Sequence, residues 1–463
     1  MLFGCLVVLI AAHTADAEDW PTYRYDNARS AVTGESSVLG DLSPGWVYTS
    51  PAPPQRAWTN GPPWDVWSNV GSVPMRDFDT AFFVTAVGEK VYFGSSVTNS
   101  VHCLDAATGS EDWFFRTNGA VRFPPSYYNG KLYFGSDDGY VYCTDSAATL
   151  LWKYSPVGET RLLFNNGKLI TMWPVRSGTA VLDGKVYFSA SLVPWKNSYL
   201  CSVDAVTGSA SGAGLYSTSG GKTPTGAILA SNDNIYLPQG RFYPQVFNRS
   251  NGSSAGTISG GGAGVYALLT SDGSSTGFVY GQGGFDSSPG YKLSADADRL
   301  AEYPDGKCMV VGSNVSYVIT ETFGVETTKG YRINIVTTLK AIDRSNSNTL
   351  WSITCNTRHF SLILAGDILF AGGIDTVIAY DTSNGDELWI APVQGYACGL
   401  AAAERRLFVS TDRGRIYMFG PGCITADFNC DLMVNMQDFA IFVDDFLKCT
   451  DPEGPVYCQD LLP

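Results

Sequence analysis

One unit returns along this 463-residue chain, and it restricts the possible folds more than composition does. Lys90 to Trp113, KVYFGSSVTNSVHCLDAATGSEDW, reads as a β-branched and aromatic strand, a Gly/Ser/Asn turn, then a strand ending in Asp105, a Thr-Gly corner and a Trp. Alternating strand residues bounded by turn residues are the sequence form of a β-hairpin with a following strand. The unit comes back as Lys131 to Trp152 and as Asp367 to Trp389. With the aromatic of KVYF as a marker, repeats fall at Phe93, Phe134, Phe188, Leu237, Tyr280, Ile319, Phe370 and Val409, those at Tyr280 and Ile319 resting partly on spacing. A period of about 40 residues suits four short strands with tight turns, the blade of a β-propeller. The expected fold is therefore all-β, an eight-bladed β-propeller.

The two ends of the repeat array are complementary. The last unit, Arg406 to Gly420, has no Trp strand after it, whereas GWVYTSP at Gly45 to Pro51 resembles LWKYSP at Leu151 to Pro156 with no KVYF-type strand before it. Joined in one blade, they would remove two free sheet edges. Ahead of this orphan strand, DWPTYRYDNARS is irregular but aromatic and is expected to pack on the ring. Aromatic residues at 13%, 50 Gly and only 16% charged residues fit such a strand- and turn-rich core. The formal charge of −14 would repel a phosphate backbone, so no nucleic-acid partner is expected.

Residues 1–17 carry an apolar run ending in Ala15-Asp16-Ala17, which reads as a secretory signal. No run is long enough to span a bilayer, so the expectation is an exported protein, extracellular or periplasmic, without a membrane span. The propeller occupies 18–422, and Gly420-Pro421-Gly422 marks a linker into a module at 423–463. Cys423, Cys430, Cys449 and Cys458 crowd into that module, as in small disulfide-stapled domains. Cys103 and Cys143, at matching repeat positions, read as buried core thiols.

Asp427 to Asp438 reads DFNCDLMVNMQD, with oxygen-bearing side chains at loop positions 1, 3, 5, 9 and 12: Asp427, Asn429, Asp431, Asn435 and Asp438. With the Met433 carbonyl at position 7, this alternation supplies the oxygen ring that a hard cation such as Ca²⁺ requires, and FAIFVDDFL should follow as a short helix. Leu432 stands at the sharp turn where Gly is usual, a cost of about 1 kcal/mol.

Function in propellers lives on loops at one end of the channel. The insertion between the second and third repeats, with the segment before it, gathers Arg122, Arg161, Trp173 and Arg176, the candidate ligand-binding residues. Trp58, Trp64 and Trp67 form a second aromatic cluster, either a sugar-stacking platform or the cover of a loop base.

CLDAATGSEDW and AYDTSNGDELW resemble the tryptophan-docking repeats of pyrroloquinoline-quinone-like propellers, a family that includes quinoprotein alcohol dehydrogenases and an outer-membrane-assembly lipoprotein. The resemblance implies that Asp and Gly shape the turn while Trp packs between blades. It implies fold without implying quinone. The vicinal Cys-Cys pair of the dehydrogenases is missing, and only His102 and His359 remain after the signal. We expect no bound quinone and no Ser-His-Asp system. The C-terminal loop resembles the dockerin form of the EF-hand, which implies a cohesin-like partner, although one repeat is visible where dockerins carry two. The expected function is a secreted, non-catalytic binding or scaffolding propeller attached to an extracellular assembly by a Ca²⁺ module; carbohydrate is a further expected partner. The alternative is a quinone-dependent oxidoreductase or a polysaccharide-acting enzyme using the channel.

Overall fold

The computed structural model describes residues 18–421 apart from 36–41, 59–63, 66–69, 72–77, 158–160, 194, 219–223, 225, 240–241, 258–265, 272–275, 282–289, 296–297, 305 and 326–331, together with 436, 439, 440 and 443. The expected signal segment, the expected metal ligands Asp427, Asn429, Asp431, Met433, Asn435 and Asp438, and the four C-terminal cysteines lie outside the described residues. Among the described residues of 18–421, every regular element is a strand.

The first sheet runs Val84–Val87, Lys90–Ser95, Ser100–Asp105, Glu111–Arg116, all antiparallel. The second is Ser126–Tyr128, Lys131–Gly135, Val141–Asp145, Leu150–Tyr154. Ala180–Leu182, Lys185–Ala190, Ser198–Asp204 and Ala210–Thr218 form the third, and Leu229–Ala230, Asn234–Gln239, Phe242–Asn248 and Ser254–Thr257 the fourth. Two further four-stranded sheets begin at Tyr266–Ser271 and Gly306–Val311. All eight repeat markers fall on the second strand of their unit. Innermost strands neighbour one another around a ring, which closes where Glu387–Ala403 packs against Val84–Val87.

Stacking of sheets face to face explains the burial pattern. Lys90–Ser95 is buried at every position after Lys90, because both of its faces meet neighbouring sheets, whereas Glu111–Arg116 at the outer edge alternates with solvent. Cys103 and Cys143 are fully buried free thiols, and burial pushes them up to about 12 and about 11.

The orphan N-terminal strand finds its place as its sequence requires. Leu42–Thr49 is antiparallel to Arg415–Pro421 at the edge of a seven-stranded sheet, with Val47 opposite Tyr417 and Tyr48 opposite Ile416. Trp46 reaches from this sheet to the first, donating its indole N–H to the Ala106 carbonyl (2.9 Å). The contact repeats from Trp113 to Ser146 (3.1 Å), Trp152 to Ala205 (3.2 Å) and Trp351 to Thr382 (2.9 Å). The acceptor follows an Asp whose carboxylate takes the next backbone amides, as Asp105 does from Ala107 and Thr108, and whose turn ends at a positive-φ glycine, Gly109.

The segment Glu18 to Glu35 crosses the centre of the ring and bonds to an inner strand or its turn in every sheet. Trp20 bridges Ala86, and the Pro21 carbonyl accepts from Tyr127 (2.7 Å). Asn27 donates to Val181 (2.7 Å) and accepts from Ala230 (3.0 Å); Ala28 accepts from Leu269 (2.8 Å), and Arg24 donates to Met309 (3.3 Å). Ala31 accepts from Leu364 (2.9 Å), and Glu18 from Glu404 (3.2 Å). Arg24, Tyr25, Arg29 and Ala31 all take positive φ (54°, 78°, 58° and 56°), a left-handed path that costs side-chain-bearing residues about 1–2 kcal/mol each and must be held by its surroundings.

Candidate functional site

At the opposite end of the ring, where links enter the innermost strands, two of the expected residues meet. Arg122, on the link between the first and second sheets, donates to Asp137 (2.9 and 2.7 Å), to Asp79 and to the Gln55 carbonyl (2.9 Å). Arg176, on the link into the third sheet, donates to the same Asp137 (2.8 Å twice) and to Asn165 (3.0 Å), with its guanidinium 5.6 Å from the Trp58 ring. Asp79 also accepts from the Ala57 amide (2.7 Å). All four charged residues are buried, so the cluster is a balanced set of two cations and two anions clasping neighbouring sheets. Burial pushes the Asp137 carboxyl up, but the guanidiniums of Arg122 and Arg176 outweigh it and hold it well below the usual carboxylate range. Asp79, with a share in only one, is raised by burial.

Trp173 and Arg161 lie elsewhere. The Trp173 indole is buried edge-on to Tyr199 and donates to the Asn197 carbonyl (2.9 Å). Arg161 is exposed at the foot of the hairpin Leu162–Asn165/Lys168–Thr171, its carbonyl accepting from Met172 (2.8 Å). Trp67 lies outside the described residues.

Sequence reasoning missed a second cluster, contributed by strands far apart in the chain. Buried Glu321 accepts from Arg358 (3.0 and 3.1 Å) and Lys307 (2.7 Å). Lys307 sits 4.2 Å and Arg358 5.4 Å from the centre of the Phe360 ring, which stacks on Tyr396 at 4.7 Å. Burial pushes the Lys307 amine down and the Glu321 carboxyl up; ion pairing reverses only the latter, so both end below their usual values. Among the described residues, two cations face one anion beside a half-exposed aromatic pair, which makes this the more open of the two clusters. Phe-Ser-Leu at 360–362 carried no signal for it, because Lys307 and Glu321 belong to the weakest repeat.

Ser100, His102 and Glu111 line up as Ser Oγ to Nε2 (2.9 Å) and Nδ1 to Oε2 (2.6 Å), a hydroxyl–imidazole–carboxylate relay made by strand register. Ser100 is 1% exposed and also bonds Thr98, and the imidazole stacks flat on Phe93 at 4.8 Å. No acyl group can reach that oxygen, so the relay is a packed polar network.

Comparison with known proteins agrees with the ring. The family described as outer membrane protein assembly factor BamB matches residues 55–171 and 336–420. A europium-containing methanol dehydrogenase superposes with a TM-score of 0.58 at 13% identity over 87% of this chain and 98% of that one. The chain is a β-propeller. The propeller of Dos1 is also similar (TM-score 0.55, 13% identity, 84% of this chain and 96% of that one), as is the computationally designed Ika8 protein (0.53, 12%, 74% and 97%). Identities this low carry fold alone. Comparison with curated proteins gives no match. Among the described residues, no helix is long and apolar enough to cross a membrane, and no group of three or more His, Cys, Asp or Glu is arranged to hold a metal.

Proposed function

We propose that this propeller is a secreted, non-catalytic binding protein of eight blades that engages a protein partner, with residues 423–463 forming a Ca²⁺-dependent attachment module. The observation that carries the reading is the centre of the ring. It is crossed by the chain's own Glu18–Glu35 segment, and Arg122 and Arg176 at the far end are already neutralised by Asp79 and Asp137. The match to an assembly-factor family favours protein recognition over small-molecule chemistry. The count of eight is supported by the seven-stranded sheet. There Glu387–Ala403 pairs with Ile368–Asp381 up to Tyr396 and with Arg406–Thr411 from Ala397, so that one long strand serves two neighbouring units.

Absorbance and mass spectrometry of the purified protein test the first part: no quinone should accompany it, and stoichiometric quinone with alcohol-dependent dye reduction would establish the oxidoreductase alternative instead. Calorimetric titration of the full chain tests the second. Ca²⁺ should bind through Asp427, Asn429, Asp431, Asn435, Asp438 and the Met433 carbonyl, and Asp427→Ala should abolish the heat. Leu432→Gly should tighten binding by relieving the turn. Heat that survives Asp427→Ala, or none at millimolar Ca²⁺, removes the attachment module from the proposal.

A further inference from the structure

Between the third and fourth sheets the repeating tryptophan contact is broken. At the preceding junction Trp152, cross-strand from Cys143, and Tyr133 both donate to the Ala205 carbonyl, at 3.2 and 3.0 Å. The acceptor turn recurs faithfully in the fourth sheet: Asn248 accepts from the Ser250 amide (3.0 Å) as Asp204 does from Val206 (3.0 Å), and Gly252 returns to Asn248 (2.7 Å) as Gly208 does to Asp204 (2.8 Å). Arg249 therefore stands where Ala205 does. The residue cross-strand from Cys201, however, is Leu215, a residue type whose side chain carries no N–H donor. Tyr187, the counterpart of Tyr133, is 1% exposed, and its hydroxyl has no partner among the described residues.

A cavity of about 400 Å³ opens at this junction, lined among others by Asp183, Lys185, Tyr187, Asn232, Asp233 and Arg249. Arg249 is spread across it, donating Nε to the Asn232 carbonyl (2.6 Å) and pairing with Asp183 on the third sheet (2.9 Å). The guanidinium thus ties these two sheets, as an indole does at the junctions made by Trp46, Trp113, Trp152, Trp351 and Trp389. Asp183 and Asp233 balance Lys185 and Arg249, so the lining favours neither an anion nor a cation. It offers donors (Lys185, Arg249, the Tyr187 hydroxyl), acceptors (the two carboxylates) and an amide that is both (Asn232). A neutral ligand bearing several hydroxyls satisfies such a mixed set, and volumes of this order are those of small-molecule sites.

We propose that this cleft binds a neutral carbohydrate of one or two sugar rings, with the Tyr187 hydroxyl that lines it and the Arg249 guanidinium among its contacts. The site lies at the turns joining first to second and third to fourth strands, the opposite end of the ring from the Arg122–Asp137–Arg176 cluster, and does not depend on the proposed protein partner or on Ca²⁺. Saturation-transfer NMR on the full chain with glucose, galactose, mannose, N-acetylglucosamine and cellobiose tests it, with glucuronate and inorganic phosphate as anionic competitors. Transfer to at least one neutral sugar is expected, lost in Asn232→Trp, which fills the cleft from its exposed rim, and weakened about tenfold in Tyr187→Phe. Tyr187→Phe should leave the thermal midpoint unchanged, since its hydroxyl has no partner among the described residues to abandon. Transfer to none of these sugars, transfer indifferent to Asn232→Trp, displacement by glucuronate or phosphate, or a midpoint lowered by Tyr187→Phe would each overturn the proposal.

Discussion

Arg29 shows how single residues hold this ring. Its side chain is buried without a carboxylate against it, and its donors go to the carbonyls of Ile228 (3.1 Å), Thr179 (2.9 Å), Tyr23 and Asp26 (3.0 Å each) and to the Thr22 hydroxyl (3.0 Å). Burial pushes its pKa down to about 10, partly offset by Asp26, so it stays charged at neutral pH. Arg29→Met keeps the volume and strands those acceptors; a loss of about 3–5 kcal/mol in urea unfolding is expected. His359 is the opposite case, a buried imidazole facing the Tyr380 hydroxyl (3.0 Å), with Lys307 and Glu321 nearby. Burial lowers it from 6.5 to about 4. Between those values the unfolded chain binds the extra proton. This contribution is therefore complete above pH 6.5 and falls by roughly 3 kcal/mol as pH drops through the window, levelling off below it. Denaturation midpoints measured across that range should show the decline, and His359→Gln should flatten it.

At the scale of elements, the docking strands correct one expectation. Trp packing between blades implies that Trp113, Trp152, Trp351 and Trp389 are largely buried; each indole edge is hydrogen-bonded to the next unit, but the side chains are only half-buried. The outer strand lies at the rim, where one face of the ring meets water. Trp152→Ala should then cost about 2 kcal/mol, and Trp20→Ala, at 1% exposure inside the central segment, about 3–5 kcal/mol. Calorimetric melting of the two variants should rank them in that order. The inserted hairpin adds a contrast. Phe164, directly opposite Leu169, is 74% exposed, although Lys168 anchors the hairpin to Asn99 (2.9 Å). Phe164→Ser should change stability by less than about 0.5 kcal/mol, read from the same melts.

For the whole molecule, closure rests on two pieces of the N-terminal region. Leu42–Thr49 supplies the outer edge of the last unit, and Glu18–Glu35 touches every sheet from inside. Both contacts join residues separated by most of the chain, so their loop-closure entropy is met only when the ring is complete. Urea unfolding followed by near- and far-ultraviolet circular dichroism should give coincident transitions in the intact chain. Removing residues 18–35 should separate them, as sheets that shared one central segment begin to melt independently.

The repeat by itself decides the fold class, because a strand–turn–strand unit with an Asp…Gly…Trp corner has few ways to bury its faces except against copies of itself. Even the faint markers Tyr280 and Ile319 fall on second strands, and the unmatched ends identify each other. Local signals reached that far because turns and alternation are local physics. They did not reach the charge clusters. That Arg122 and Arg176 share Asp137 while Trp173 and Arg161 do not depends on which links converge around the ring. The Glu321 cluster and the Ser100–His102–Glu111 relay depend on strand register. Most of all, nothing in DWPTYRYDNARS says that it crosses the centre of a ring. Its positive-φ backbone and lone buried arginine are tolerable only among carbonyls supplied by strands far along the chain, and only the assembled tertiary structure brings those carbonyls to it.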